Sequence, residues 1–317
     1  MTKTGRRRGD TFSATIPIDA SLPASFWASQ DGLDAAAILS AGGETKSLVS
    51  GAVDEISIDW INFSVSVSGR DKSADLTQTR RNKKYANKTA ADIVKDIAQA
   101  HGLDAMVPSG GNDVSKKFDI DTTHLILNRT DFETISQLAE REGVRWFVDG
   151  NTLYFGAAAS GGVYEVHYRP PQGGYMASNA MSLTTSRNVL AAKTIEATVK
   201  SWHHKDKKLY EHTAKATGKG GSLAYEFHHP GMNQQQIEKI AKSAVNEAIH
   251  HEMTIEVEMP GDLAIDPTMK LQLAGTGTEF DQAYDIHEIT WEYQSGENGF
   301  FSMSITGKSP SQGREAE

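Results

Sequence analysis

Three adjacent histidine pairs, His203-His204, His228-His229 and His250-His251, invite a metal hypothesis, because imidazole nitrogens are common ligands. Their spacing argues against it. Neighbours point to opposite faces of a strand and lie about 100° apart on a helix, so an adjacent pair seldom bites one ion, whereas a helical site uses i and i+4. The segment Ala216-Thr217-Gly218-Lys219-Gly220-Gly221-Ser222 resembles a phosphate loop superficially. Gly220 stands where Ser or Thr should hold magnesium, and the first glycine is missing, so a lysine-rich flexible loop is expected there. Neither Gly-x-Ser-x-Gly nor His-Glu-x-x-His occurs, so no serine hydrolase or zinc protease is signalled, and Arg8-Gly9-Asp10 is a three-letter coincidence.

The chain has no cysteine, which excludes disulfides, thiolate zinc sites, iron–sulfur clusters and a cysteine nucleophile together. No metal, cofactor or catalytic residue is assigned. The 41 acidic residues leave a glycosidase-like carboxylate pair open by count alone, but such a pair needs proximity and divergent pKa values that sequence does not reveal. Charge placement says more. The 41 acidic and 32 basic side chains give a net −9, yet residues 251–300 hold eleven acidic residues against one lysine, Lys270, a local −10. Two readings stand: a domain kept soluble by its charge, or a surface that repels a polyanion moving past it. The overall balance argues against tight, sequence-independent nucleic-acid binding.

At 317 residues the chain has room for two or three domains. No apolar run is long enough for a membrane helix, and Met1 to Asp10, with Arg6, Arg7 and Arg8, leads into no signal-peptide core. A soluble, unprocessed protein made in the cytoplasm, without membrane insertion, is expected.

Three helices are predicted from capping and period. Thr89 with Asp92 starts the first, with Ile93, Val94, Ile97 and Ala98 as its face and Gly102 as its stop; Thr130 with Glu133 starts the second, with Phe132, Ile135, Leu138 and Ala139 buried and Gly143 ending it. The third runs from about Asn233 to His250 on Ile237, Ile240, Ala241, Ala244, Val245, Ala248 and Ile249. Most of the rest alternates with period two, including a hairpin over Arg145 to Phe155 that turns at Asp149-Gly150-Asn151. Residues 157–181, rich in Gly, Ala and Ser with Pro170-Pro171, read as a linker.

The two ends of the chain echo one another. Val53-Asp54-Glu55-Ile56-Ser57-Ile58-Asp59-Trp60 matches Ile286-His287-Glu288-Ile289-Thr290-Trp291-Glu292-Tyr293 in polarity, and Phe63 to Gly69 (FSVSVSG) matches Phe301 to Gly307 (FSMSITG) with four identities. Only the turns differ, Ile61-Asn62 against Gln294 to Phe300. Alternation then predicts one apolar face per hairpin: Ile56, Ile58, Trp60, Phe63, Val65 and Val67, and Ile289, Trp291, Tyr293, Phe301, Met303 and Ile305. The opposite faces carry Glu55, Asp59, Ser64 and Ser66, and Glu288, Glu292, Ser302 and Ser304. An ordinary amphipathic hairpin with a solvated outer face, met twice, is one account; a duplicated β domain is the other. Under duplication each domain needs one flanking helix: the helix at 233–250 for the second, and a shorter one within Pro23 to Leu39 (Phe26, Trp27, Leu33, Ile38) for the first.

The ordered set of motifs resembles the bacteriophage baseplate or tail hub proteins of the late control protein D family, and the hub part of type VI secretion spike proteins. Val67-Ser68-Gly69-Arg70-Asp71-Lys72-Ser73-Ala74-Asp75-Leu76 looks like the stretch closing that family's first tube domain; Thr89 to Gly102, Leu138 to Gly143 and Leu153-Tyr154-Phe155 look like its inserted module. Ala241 to Ala248, Leu271-Gln272-Leu273 with Gly275, Tyr284-Asp285-Ile286 and Gly299-Phe300-Phe301 look like its second tube domain. The resemblance implies an α+β fold: two related β-barrel-like tube domains (1–76 and 182–317) with flanking helices, an inserted α/β module (77–156) and the linker (157–181). It implies a non-enzymatic homotrimer in the virion tail, assembled in host cytoplasm, joining a tail tube protein to a central spike protein beside other baseplate proteins. Glu55, Asp59, Ser64, Ser66, Glu288, Glu292, Ser302 and Ser304 would then line the channel through which DNA passes transiently. Some relatives carry a fused lysozyme or spike domain; this chain shows none, so such activity is expected in a partner. The stretch Lys205 to Gly221 has no counterpart in the pattern. A tail-tip cell-wall hydrolase, and a glycan-binding β module using Trp202, Trp291 or Tyr293, are the competing readings.

Overall fold

A computed structural model describes residues 1–4, 9–41, 43–78, 80–83, 89–107, 126–142, 144–156, 161–169, 178–203, 207–250 and 252–309. Its centre is one eleven-stranded sheet that contains both echoing hairpins. The hairpin of Glu44–Asp59 and Ser64–Asp71 is flanked by Thr11–Pro17 and Asp34–Ala41, and the hairpin of Ala283–Gln294 and Phe300–Lys308 by Met253–Pro260 and Lys270–Ala274.

The echo holds pair for pair. In the first hairpin Glu55 faces Ser68, Ser57 faces Ser66 and Asp59 faces Ser64; in the second Glu288 faces Thr306, Thr290 faces Ser304 and Glu292 faces Ser302. Both hairpins carry a β-bulge at the same place, between Val53 and Glu55 and between Ile286 and Glu288, opposite Gly69 and Gly307. A bulge places two residues against one and re-aims the strand. The neighbours match too: Pro17 opposite Ser64 corresponds to Pro260 opposite Ser302, and Asp34 opposite Ala52 to Lys270 opposite Asp285. Even the outermost strands correspond, Thr2–Thr4 beside Thr11–Pro17 and Ser182–Arg187 beside Met253–Pro260. The chain therefore holds two five-stranded units of one order and register.

The units are not separate sheets, as two independent β domains would require. Thr2–Thr4 pairs with its own unit at Thr11 and with the second hairpin at Thr290, Ile289 and Glu288. Met1 accepts a bond from the N–H of Trp291 (2.8 Å) and its amine donates to the Trp291 carbonyl (3.0 Å). Side chains of both units accordingly share one core, from Leu48, Val65 and Val67 to Ile255, Ile289, Trp291 and Ile305.

Several expectations need correction. The stretch Pro23 to Leu39 holds only the short helix Ala24–Ala28, and Asp34–Ala41 is a strand: its alanine run has helical propensity, but the sheet edge supplies hydrogen bonds that override it. Within the expected linker, Val163–His167 is a strand running parallel to Lys270–Ala274. The helix Gln234–Ile249 does not flank the second hairpin. It buries Ile237, Ala241, Val245 and Ile249 on a separate three-stranded sheet of Thr194–His203, Lys208–Ala216 and Ser222–His228. Its start is a capping box of Asn233 and Gln236.

The middle of the chain is a small α/β layer. Helix Ala90–Ala100 has the predicted Thr89/Asp92 box and ends at Gly102 (φ +66°), where Leu103 N–H bonds Ala98 O and Gly102 N–H bonds Gln99 O. Helix Asp131–Glu142 starts from the reciprocal Thr130/Glu133 bonds, and its expected stop, Gly143, lies outside the described residues. Both pack on the sheet of Asp104–Met106, Thr152–Phe155 and Trp146–Asp149. Lys3 to Asp149 (2.9 Å), Arg145 to Asp285 (2.9 Å) and Lys239 to Glu142 (2.8 Å) tie this layer to the units and to the third helix.

Candidate polar sheet face

Residues directly opposite in paired strands share a face. Starting from Thr290, one row runs through Ser304 and Glu258 to Ser182 on one side, and through Thr2 and Thr11 to Arg70 on the other. Because Arg70, Ser68 and Ser66 alternate along one strand, the same face carries Glu55, Ser57 and Asp59. The sheet therefore brings Glu55, Asp59, Ser64, Ser66, Glu288, Glu292, Ser302 and Ser304 onto one continuous polar surface. Glu55, Asp59, Ser66, Glu292 and Ser304 are exposed, and Ser64, Glu288 and Ser302 half-buried.

Sequence reasoning missed part of this face. Glu256 and Glu258, both exposed, and Thr15, Ser57 and Thr290 belong to it. The alternation Met253-Thr254-Ile255-Glu256-Val257-Glu258-Met259 was the available signal, with every odd position buried. Hydroxyl pairs stitch neighbouring strands across the face: Thr2 to Thr290 and Thr15 to Ser66, each 3.1 Å between oxygens. The Arg70 guanidinium is engaged by Asp54 through two bonds (2.6 and 3.0 Å), which hold the Asp54 carboxyl below its usual range.

Asp59 has a different task from its neighbours. Its carboxylate accepts from the N–H groups of Ile61 and Asn62 (2.9 Å each) and from Asn62 Nδ2 (2.7 Å), so it closes the turn and its pKa lies below the usual range, first through the Asn62 N–H. The apolar faces also end sooner than expected. Trp60, Phe63 and Tyr293 do not reach the core: they are exposed, with Ile61 and Phe300, at the hairpin tips. The pairing directions carry both tips to the same end of the sheet. Chemically, the face repels anions through its carboxylates and offers hydroxyls between them.

The other candidate sites come apart. Among the described residues no three His, Cys, Asp or Glu side chains gather as a metal set, and His204 and His251 lie outside them. His228 pairs with Glu226 (3.2 Å), while His250 sits 3.8 Å from Asp285. The loop at 217–221 folds onto its own surroundings: Gly218 N–H donates to Thr194 Oγ1 (3.1 Å) and Lys219 N–H to Ala192 O (3.0 Å). The described part of Lys205 to Gly221 is mainly the strand Lys208–Ala216. Trp291, offered as a sugar platform, is buried at 1% exposure with Nε1 donating to Asp262 O (3.0 Å); Trp202 and Tyr293 are exposed. No described helix is long and apolar enough to cross a membrane.

Comparison with known proteins agrees with this architecture. The fold matches a 43 kDa tail protein of prophage MuSo2 from Shewanella oneidensis (TM-score 0.68, 16% identity, 96% of this chain and 92% of that one). It also matches a tail protein from Neisseria meningitidis (TM-score 0.70, 12% identity, 98% and 91%) and a type VI secretion component of E. coli described as structurally similar to bacteriophage T4 tail proteins (TM-score 0.59, 13% identity, 100% and 73%). No curated protein sequence matches. Residues 25–297 match the family described as phage tail baseplate hub, and the chain belongs to that family of structural tail proteins.

Proposed function

We propose that three copies of this chain form a ring of six similar units that joins the tail tube to the central spike. The observation that carries this reading is the pair-for-pair match of the two five-stranded units, down to the shared bulge. A chain with two such units presents six equivalent positions as a trimer and remains threefold overall, which suits a part standing between a sixfold tube and a threefold spike. The role is structural, in the virion tail among other baseplate proteins, after assembly in host cytoplasm. The division into a first tube domain (1–76), an inserted module (77–156) and a second tube domain (182–317) goes with it, with Val163–His167 from the segment between them joining the second unit's sheet.

In this ring the polar face lines the channel. Its carboxylates repel the DNA backbone, so DNA slides without gripping the wall. The aromatic tips, carried to one end by both hairpins, form a rim for the next tail component. Replacing Glu55, Glu288 and Glu292 with lysine tests the channel: particles assemble, but DNA ejection slows and becomes salt-dependent. Ejection at the wild-type rate overturns the channel assignment, and an axial image of the tail lacking threefold symmetry at this position overturns the ring.

A further inference from the structure

The two units differ in how one strand edge is completed. In the second unit, the edge of Ala283–Gln294 beyond Lys270–Ala274 is completed by Thr2–Thr4 of the first unit. In the first unit, Asp34–Ala41 covers Glu44–Asp59 only as far as Ala52, with Val53 N–H reaching Leu33 O, and among the described residues nothing pairs with the edge of 55–59. The strand equivalent to Thr2–Thr4 is Ser182–Arg187. Among the described residues it pairs with Met253–Pro260 alone and stands at the far end of the sheet, flanked by exposed Met181, Val189 and Leu190. Among the described residues the sheet therefore has a strand with one open edge at one end and an unfilled edge at the other, which is the arrangement of a head-to-tail interface that closes into a ring.

Resting on the ring reading above, we infer that Ser182–Arg187 of one copy completes the sheet of the next by pairing antiparallel with its 55–58 edge. The register follows from the internal copy. Thr2 corresponds to Ser186, through their partners Thr11 and Thr254, and Thr290 corresponds to Ser57. Ser186 then lies opposite Ser57, Arg187 opposite Ile56 and Thr185 opposite Ile58. The chemistry repeats as well: the Thr2/Thr290 hydroxyl pair becomes Ser186/Ser57, and Lys3 becomes Arg187. Met1 and Trp291 exchange two backbone bonds, so Thr2/Thr290 is a non-hydrogen-bonded pair, and so is Ser186/Ser57. The burial pattern agrees, because Ile289 and Trp291 are 0% and 1% exposed whereas their counterparts Ile56 and Ile58 are only partly covered.

The absence of native cysteine makes the test clean. Non-hydrogen-bonded antiparallel partners hold their Cα atoms about 4.5 Å apart, within the roughly 4.4–6.8 Å that a disulfide spans. Ser57→Cys and Ser186→Cys in one full-length chain, at opposite ends of its sheet, cannot link within a copy. Mild oxidation of the purified chain and of assembled tails should convert monomer bands into covalent trimer that reduction reverses. Each single variant stays unlinked, and a Thr2→Cys, Thr290→Cys chain closes internally as the positive control. A wild-type chain of trimeric mass whose double variant never links overturns the pairing and leaves the ring intact. A chain monomeric at every concentration and unlinked in tails overturns both.

Discussion

The second five-stranded unit is finished and the first is not. At matching positions the apolar side chains on the strand that carries the first unit's open edge are less covered: Ile56 against Ile289 and Ile58 against Trp291. On the next strand the units are alike, with Val65 and Met303 at 0% and 1% and Val67 and Ile305 at 4% and 0%. A duplicated fold thus reports on its missing surroundings, since one copy is the internal standard for the other.

The largest effect should come from the most covered position. Ile289→Ala removes a fully buried side chain and is expected to cost about 2–5 kcal/mol in denaturant unfolding. Ile56→Ala, the same change at the matching place, should cost about half as much in the dissociated chain, and the gap should narrow in the assembled tail. Equal costs in the dissociated chain would break the comparison.

A buried acid distinguishes the units next. Asp71 and Ser309 occupy matching positions, both buried, and their N–H groups bond Asp10 O (3.0 Å) and Met253 O (2.8 Å). Burial pushes the Asp71 carboxyl up to about 6 against the bonds from Ser73. A folded pKa above the unfolded one favours the fold fully below pH of about 4, and this contribution is lost as pH rises through about 6. Asp71→Asn, which keeps an acceptor for Ser73, should remove that slope and raise stability at pH 7 by at most about 3 kcal/mol. A wild-type stability that does not fall over this window would contradict the assignment.

The glycines opposite the two bulges offer a finer comparison. A Cβ on Gly69 would lie 2.2 Å from Ala52 O and 2.5 Å from the Phe12 ring; on Gly307 it would meet Ile255 Cγ2 at 2.8 Å. Both alanine variants should lose about 1–3 kcal/mol in thermal unfolding, Gly69→Ala more because backbone cannot step aside as a methyl can. The reverse order would mean that the first unit yields more easily than its contacts indicate. Smallest of all, Asp59→Ala should loosen only the first hairpin's turn, seen as faster amide exchange at Ile61 and Asn62 with the second hairpin unchanged.

Much of this was legible in the residues. The caps at Thr89 and Thr130 marked helix starts because their partners sit three residues away, and the twin hairpins showed because alternation is local. Non-local features were hidden. Thr2–Thr4 is too short to show a period and pairs with residues near 290, and Val163–His167 lies beside the glycines of the supposed linker. The helix at 234–249 was found but given the wrong partner, since an apolar stripe says that something is covered and not what. Of the polar face, the hairpin carboxylates were readable, while Glu256 and Glu258 joined it only once Met253–Pro260 took its place in the sheet.

One unequal connection has a practical consequence. From Thr4 to Thr11 the first unit crosses between its outer strands within a few residues, whereas the matching passage from Arg187 to Met253 carries a whole sheet-and-helix layer. Both leave the flanking registers the same, so this passage is a tolerant port in the scaffold. A foreign domain grafted between Thr4 and Thr11 would enter where the same fold already accommodates a guest, giving a defined attachment point for cargo on the particle.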